Sequence, residues 1–461
     1  MTPDRTQRKS RGVFASLDGY SRLVGFGLVL RVMRALLQFI TYGLLVRLLT
    51  VPQFGVYAFL AAVIQVVCVP SQFGLPQLVL RDAARLVLSG DSNALAALAR
   101  WARGVFLLTS CLGMTLAGLG LYFRAPSAVG WLDVCVALIM VPVIGLINLR
   151  SSQLRGMGYG ARSQLAELFV APLLFLLCVV VLFAGRGVLE AHVTSVLAVR
   201  LLALLLALIV ANRLLRRAID NFAPRYAKQD VRSAPETVPG SLARLKSSMV
   251  FGVSAGLYAL NTNFDILAIA YLSGEHEVAM YKVAALVGGA VGMLMQSLNA
   301  AIGPVISREL ALGNPEKLER LIYRQLRQLS LVVFAMFLLL AFAGDTLLAS
   351  AFGSSYGSSY DAMLLLALAS VVSLVFGPAG LLLNMGGHEQ QALRASLVAL
   401  ITNIALNLVL VPRFGSGGAA LATLLATLVF NVMLWGYAKR LTDINTLGWL
   451  RLGVLRWRRE S

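Results

Sequence analysis

The sequence predicts an all-α membrane protein of about twelve transmembrane helices arranged as two six-helix bundles, and three observations predict it. Hydrophobic residues make up 58% and charged residues only 13% of the 461-residue chain, with a mean hydropathy of +0.79, a balance foreign to soluble domains of this length. Apolar runs of the roughly 20 residues that a spanning helix requires recur along the whole chain, separated by short polar or Gly/Pro-marked breaks. The basic residues, which give a formal charge of +19, sort by alternate connections between those runs.

Apolar stretches and breakers place helices near 23–49, 55–71, 104–123, 129–149, 166–184 and 191–211, then near 249–272, 279–303, 329–349, 362–384, 393–412 and 418–438. A basic tail, 1–22, precedes them; the first apolar run carries Arg31 and Arg34 and no small-residue cleavage site follows it, so no removable signal peptide is expected. Residues 212–247 separate the two sets of six. This stretch opens with Arg213-Leu-Leu-Arg216-Arg217 and continues through Pro224, Pro235 and Pro239, which predicts an interfacial turn of helix followed by a flexible linker. The domain reading is therefore a first bundle at 23–211, a cytoplasmic linker at 212–247, a second bundle at 248–438 and a basic tail at 439–461. In that tail Trp449 and Trp457 alternate with arginines, too charged to span and suited to lie on the interface.

Of the 40 Lys and Arg residues, 32 fall on the side of the two termini, four on the opposite side and four (Arg31, Arg34, Arg47, Arg200) within helices. The positive-inside rule then puts both termini in the cytoplasm of a bacterial inner membrane. Topology and attraction to anionic headgroups account for the excess charge, which leaves no role for nucleic acid. Cys68, Cys111, Cys135 and Cys178 all fall in apolar runs without metal-ligand spacing, as small buried residues do. The sequence carries no phosphate-binding Walker loop and no His/Cys/carboxylate cluster. No cofactor or metal is expected, and transport driven by an ion gradient or membrane potential follows by elimination.

Ionised side chains inside a bilayer are costly, so those present are the candidate site. Arg31, Arg34, Gln38 and Tyr42 recur at spacings of three and four on helix 1 and share one face. Two readings stand for the arginines: they snorkel to headgroups, or they bind a diphosphate through bidentate guanidinium contacts. Arg200 lies mid-way along helix 6, where snorkelling serves it poorly, and is expected to face a cavity or a carboxylate. On helix 7, Tyr258, Asn261 and Asp265 form a second polar stripe. Asp265 reads either as an ion- or proton-coupling site, or counter-ion to the arginines, or as an interhelical hydrogen-bonding residue. Asn403, Asn407 and Asn431 read as interhelical glue, and Asp133 as a residue near the outer mouth.

The halves echo each other. Arg47-Leu-Leu-Thr-Val-Pro-Gln-Phe-Gly55-Val-Tyr57 leads into helix 2, and Tyr271-Leu-Ser-Gly-Glu-His-Glu-Val-Ala279-Met-Tyr281 into helix 8, a pattern of transporters built from repeats. These segments, with Asn261-Thr-Asn-Phe-Asp265, Tyr360 after a Gly/Ser loop, and the stretch from Asn403 through Asn407, Pro412 and Gly415 to Thr423, resemble the polysaccharide repeat-unit flippases of the multidrug/oligosaccharidyl-lipid/polysaccharide superfamily. Thr50 and Ala279 stand where that family often has glycine. The resemblance implies a MATE-like fold, two six-helix bundles in a pseudo-two-fold V around a cavity that opens alternately to each side. It implies a transporter, not an enzyme, whose cargo is an undecaprenyl-diphosphate-linked oligosaccharide for surface polysaccharides such as O-antigen. A polysaccharide polymerase and a chain-length regulator would be its partners, and Arg31, Arg34, Gln38, Arg200 and Asn261 its cargo contacts.

Three other readings compete. A cation-coupled drug exporter would carry more cavity carboxylates and fewer cations; a peptidoglycan-precursor flippase would carry extra helices. A membrane-embedded glycosyltransferase or polymerase would need a large charged outer loop, and the outer connections here are short.

Overall fold

The structure, a computed structural model, describes residues 29–89, 92–124, 126, 128–185, 192–226, 241–312 and 315–447. The tail 1–22, most of the linker beyond Tyr226 and the Trp449–Arg459 anchor lie outside the described residues. All regular structure among the described residues is helical: α1 (Val29–Leu48), α2 (Val51–Gln72), α3 (Leu75–Ser89), α4 (Ser92–Arg124), α5 (Trp131–Gly156), the single turn α6 (Gly160–Ser163), α7 (Ala171–Ala184) after a π-helical turn (Ala166–Val170), α8 (Val193–Tyr226) and α9 (Ser241–Leu272). Then follow α10 (Glu275–Ala311), α11 (Pro315–Phe352), a 3₁₀ turn (Ser354–Ser359), α12 (Tyr360–Phe376), α13 (Ala379–Met385) and α14 (Glu389–Thr442).

Ten described segments are long and apolar enough to cross a membrane. One of them, α14, is two helices joined at Gly415, whose φ of 52° and ψ of −130° break the helical path. α9 has 32 residues, ample length, but Asn261, Thr262, Asn263 and Asp265 interrupt its apolar run. About twelve spans, as expected, therefore stand. Side chains such as Phe342, 87% exposed, and Leu108, 74% exposed, cover the outside of α11 and α4, an apolar surface that only lipid solvates. Cys111 is exposed there too, and the expectation that all four cysteines are buried holds fully only for Cys68.

Three boundaries differ from the sequence reading. Residues 72–103 are not a connection: α3 fills half of them, burying Leu75, Leu78, Val79, Asp82, Ala83 and Leu86, a 3.6-residue periodicity that its charges masked. The turn expected after 212 is the unbroken continuation of α8 to Tyr226. The single helix expected at 362–384 breaks at Gly377, φ +71°, and Pro378, since proline has no N–H with which to continue a helical ladder.

The chain divides into two compact units: residues 1–48, 64–125 and 130–256, and residues 49–63, 126–129 and 257–461. α2 and α9 are each shared between them. In the first unit the apolar face of α3 packs with α4, α5 and α8 around Leu98, Phe106, Leu149, Leu154 and Leu215, and a second cluster, Val143, Ile147, Ala171, Ala207 and Ala211, joins α5, α7 and α8. In the second unit α12 packs on both α10 and α14. The two echoing segments meet there: Gly55 lies so close to the Glu275 carbonyl that a Cβ would overlap it.

Candidate functional site

The second unit encloses a carboxylate. Asp265 sits on α9 amid Ile266, Ala268 and Ile269, which are all buried, and is itself 5% exposed. Its partners come from two other helices. Tyr281 stands near the start of α10, where Glu275 and Glu277 occupy the first turn and favour the positive end of the helix dipole. The rest come from α14, whose chain reverses at Gly415. There a side chain would strike Glu277, and the Glu277 carboxylate instead accepts the Ser416 backbone N–H at 2.7 Å. Asn407 and Thr423 lie eight residues before and after Gly415, so the reversal brings them to one level. Fully buried Ala419, Ala420 and Ala422 keep the returning arm slim enough for close approach.

Four neutral groups converge on Asp265. Asn403 Nδ2 donates to Oδ1 at 3.0 Å and Asn407 Nδ2 donates to Oδ1 at 2.8 Å. The Tyr281 hydroxyl donates to Oδ2 at 2.7 Å, and Thr423 Oγ1 donates to Oδ2 at 2.7 Å. Among the described residues no Lys or Arg lies within ion-pair distance of Asp265.

The two ends of this carboxylate differ chemically. Amide N–H groups are obligate donors, so Oδ1 is held as an acceptor; hydroxyls donate or accept, so Oδ2 can carry a proton. With a proton on Oδ2, one hydroxyl accepts it and turns its own hydrogen away, and the 3.4 Å between Tyr281 OH and Thr423 Oγ1 gives that hydrogen a destination. The cluster also gathers amide, hydroxyl and carboxylate oxygens, the donor set of a small hard cation, and Asn407 Oδ1 is buried without a hydrogen-bond partner among the described residues.

None of the other sequence candidates is among the four hydrogen-bond partners of Asp265 named above. Asn261 is half-buried one turn before Asp265 and Tyr258 is exposed, so the stripe read on helix 7 runs from open surface to closed interior. In the first unit Arg31 and Arg34 are exposed on α1, Gln38 is half-buried and Tyr42 buried. Arg200 is half-buried on α8 with its guanidinium 5.9 Å from the centre of the Phe175 ring on α7, and Asp133 is buried, accepting a 2.5 Å hydrogen bond from Thr194. Sequence reasoning singled out Asp265 but gave Asn403 and Asn407 a packing role only and left Tyr281 and Thr423 as family signature; the signal was that all four lie in segments carrying the resemblance.

Residues 24–310 match the family described as polysaccharide biosynthesis protein. The chain belongs to that family. Residues 252–412 also match the MatE family. A relative in Haloferax volcanii, the probable low-salt glycan biosynthesis flippase Agl15, is 23% identical over 214 residues, 46% of this chain and 45% of the relative; the aligned stretch thus spans less than half of that protein. In fold the chain is similar to an inward-facing multidrug resistance MATE family transporter of the MOP superfamily, at a TM-score of 0.71 and 16% identity over 91% of this chain and 98% of the other. It is also similar to the lipid II flippase MurJ in an inward closed conformation, at a TM-score of 0.65 and 13% identity over 91% of each chain. The MATE-like fold and the superfamily read from the sequence are both met.

Proposed function

We propose that this multi-pass membrane protein carries an undecaprenyl-diphosphate-linked oligosaccharide repeat unit from the cytoplasmic to the periplasmic leaflet of a bacterial inner membrane by alternating access, supplying surface polysaccharide assembly. Family membership supports a flippase of the superfamily. The observation that carries the cargo is on α1: a span of 20 residues that keeps two arginines, Arg31 and Arg34, exposed one turn apart. A guanidinium in hydrocarbon costs at least about 2.5–3.5 kcal/mol, and a pair of them matches the charge and the bidentate geometry of a diphosphate. Gln38 and Asn261 would offer neutral contacts to sugar hydroxyls and Arg200 further positive charge. Asp265 is the coupling site in this reading, alternately neutralised by and released from a proton or a small monovalent cation.

Cells lacking the protein are expected to accumulate lipid-linked repeat units on the cytoplasmic leaflet. The double variant Arg31→Gln/Arg34→Gln should reproduce that accumulation while inserting into the membrane at normal levels. Normal flipping by the double variant would remove the arginines from the mechanism. The MatE match over the unit that holds Asp265 favours one competing reading, a cation-coupled exporter of small molecules. Heightened drug susceptibility of the deletion strain, with no lipid-linked intermediate accumulating, would decide for that exporter.

A further inference from the structure

At its arginine-rich end the first unit holds a cavity of about 290 Å³ that no part of the transport reading uses. Leu154 at the end of α5, Tyr159 and Leu165 flanking α6, and Leu214 on α8 form its apolar wall, and Arg162 and Arg217 are its only charged lining residues among those described. The Arg162 guanidinium lies 5.9 Å from the centre of the Tyr159 ring, a cation–π contact that steadies its fork. Neither arginine has an ion-pair partner among the described residues; the acids nearest along the chain, half-buried Glu167 after Arg162 and exposed Asp220 after Arg217, do not line the cavity.

Among the described residues, neutral partners hold the neighbouring arginine as well. Arg150 on α5 is held by neutral acceptors, its Nε on Asn212 Oδ1 and its Nη1 on Gln153 Oε1, each at 3.0 Å, and the charges that act on it are those of Arg103 and Arg216.

A second feature points to what fills the gap. The exposed face of α8 runs Leu202, Leu205, Leu206 and Ile209, then Arg213, Arg216 and Arg217, at spacings of three and four that keep one face. Oil-facing for two turns and cationic for the next two, this stripe has the polarity of an anionic lipid lying alongside it, chain against the leucines and phosphate against the arginines. We infer that the cavity between α5, α6 and α8 binds the headgroup of an anionic phospholipid, its phosphodiester held by Arg162 and Arg217 and its acyl chain laid along the apolar face of α8. Basic pockets between spanning helices take such headgroups. At about 290 Å³ the cavity falls just under the roughly 300–1,000 Å³ of drug-sized ligand sites, room for a glycerophosphate but not for an oligosaccharide. On the positive-inside assignment the lipid belongs to the cytoplasmic leaflet.

Native mass spectrometry of the full-length protein tests this, with phosphatidylglycerol, phosphatidylcholine, inorganic phosphate and glycerol 3-phosphate as separate titrants. A one-to-one phosphatidylglycerol adduct is expected at about ten times the occupancy of phosphatidylcholine, an energy of about 1.4 kcal/mol at tenfold per decade. Arg162→Gln/Arg217→Gln should lose that preference. Leu165→Trp, which fills the cavity and keeps both arginines, should lose it as well, whereas Arg327→Gln, which removes one exposed charge from α11 in the second unit, should retain it. Equal binding of the two phospholipids, or retention of the preference by Leu165→Trp, would overturn the site. Displacement of phosphatidylglycerol by millimolar phosphate or glycerol 3-phosphate would overturn the lipid assignment in favour of a soluble phosphate ligand.

Discussion

Two aspartates, Asp82 at 3% exposure and Asp265 at 5%, meet the problem of a buried negative charge in opposite ways. Asp82 on α3 lies between two cations, with Arg81 Nε 3.0 Å from Oδ1 and Arg244 Nε 3.9 Å from Oδ2. Aromatic rings steady both guanidiniums, Phe251 at 5.9 Å and Trp101 at 5.6 Å. Yet its hydrogen bonding is incomplete, since Asp82 Oδ2 and Arg244 Nε lack hydrogen-bond partners among the described residues. Asp265 has the reverse arrangement: four well-formed hydrogen bonds from neutral groups and, among the described residues, no Lys or Arg within ion-pair distance. Removing an ion from water costs several kcal/mol even after the protein relaxes, and hydrogen bonds alone leave the net charge in place. Asp82 finds its counter-charge inside the fold, whereas those four partners of Asp265 are all neutral; in the proposed coupling role its counter-charge comes from outside. On the proposed reading the first carboxylate is architecture and the second is where an external ion acts.

Asp265→Asn gives the largest test of that division. The amide matches the carboxylate in shape, and the Tyr281 and Thr423 hydroxyls can turn to accept from it, so the protein should fold while losing its need for a neutralising ion. Gradient-driven flipping of a labelled lipid-linked substrate in proteoliposomes is expected to fall about a hundredfold, equivalent to about 3 kcal/mol. Wild-type flipping by this variant would collapse the comparison and leave both aspartates structural.

Asp82→Ala attacks the other side. Stranding one member of a buried ion pair costs about 3–5 kcal/mol, but Arg81 keeps 35% of its side chain exposed, and solvent there reduces the expected loss to about 1–3 kcal/mol. A lower melting temperature in detergent should record it, with transport per folded molecule unchanged. Asp82→Asn/Arg244→Gln, which removes opposite charges together, should restore more than half of the loss. A folded Asp82→Ala protein that cannot transport would show that the ion pair takes part in the cycle.

How much of this was legible in the sequence follows from which interactions are local. Spanning runs and the Pro412–Gly415 reversal announce themselves because lipid solvation and backbone conformation are decided residue by residue. α3 was missed for the opposite reason: Arg81, Asp82 and Arg85 lower its hydropathy, although its buried positions keep strict helical spacing. The extension of α8 was missed because Arg213, Arg216 and Arg217 read as an interface when they are the polar end of the same helix. Asp265 stood out as a lone carboxylate in an apolar run. Its ligands did not, because Asn403, Asn407 and Thr423 lie 138, 142 and 158 residues away, and an asparagine that braces two helices is indistinguishable in sequence from one that serves a carboxylate.

Thr423→Val probes the smallest difference, one hydroxyl on Oδ2. Valine keeps the shape of threonine, so packing against α9 survives, and Tyr281 still donates to Oδ2 at 2.7 Å. A hydrogen bond to a charged group contributes about 1.5–3 kcal/mol; with Tyr281 in place the net loss should be about 1–2 kcal/mol, a factor of roughly 5–30. If Thr423 only stabilises the fold, that loss appears as a lower melting temperature and the ion dependence of transport stays where it was. If Thr423 and Tyr281 instead share the handling of the incoming ion, the half-saturating ion concentration rises by that factor at nearly constant maximal rate. The second outcome is expected from the proposed coupling role, because the two hydroxyls are the members of the cluster that can reverse their hydrogen bonds if the charge on Asp265 is cancelled and restored in the cycle.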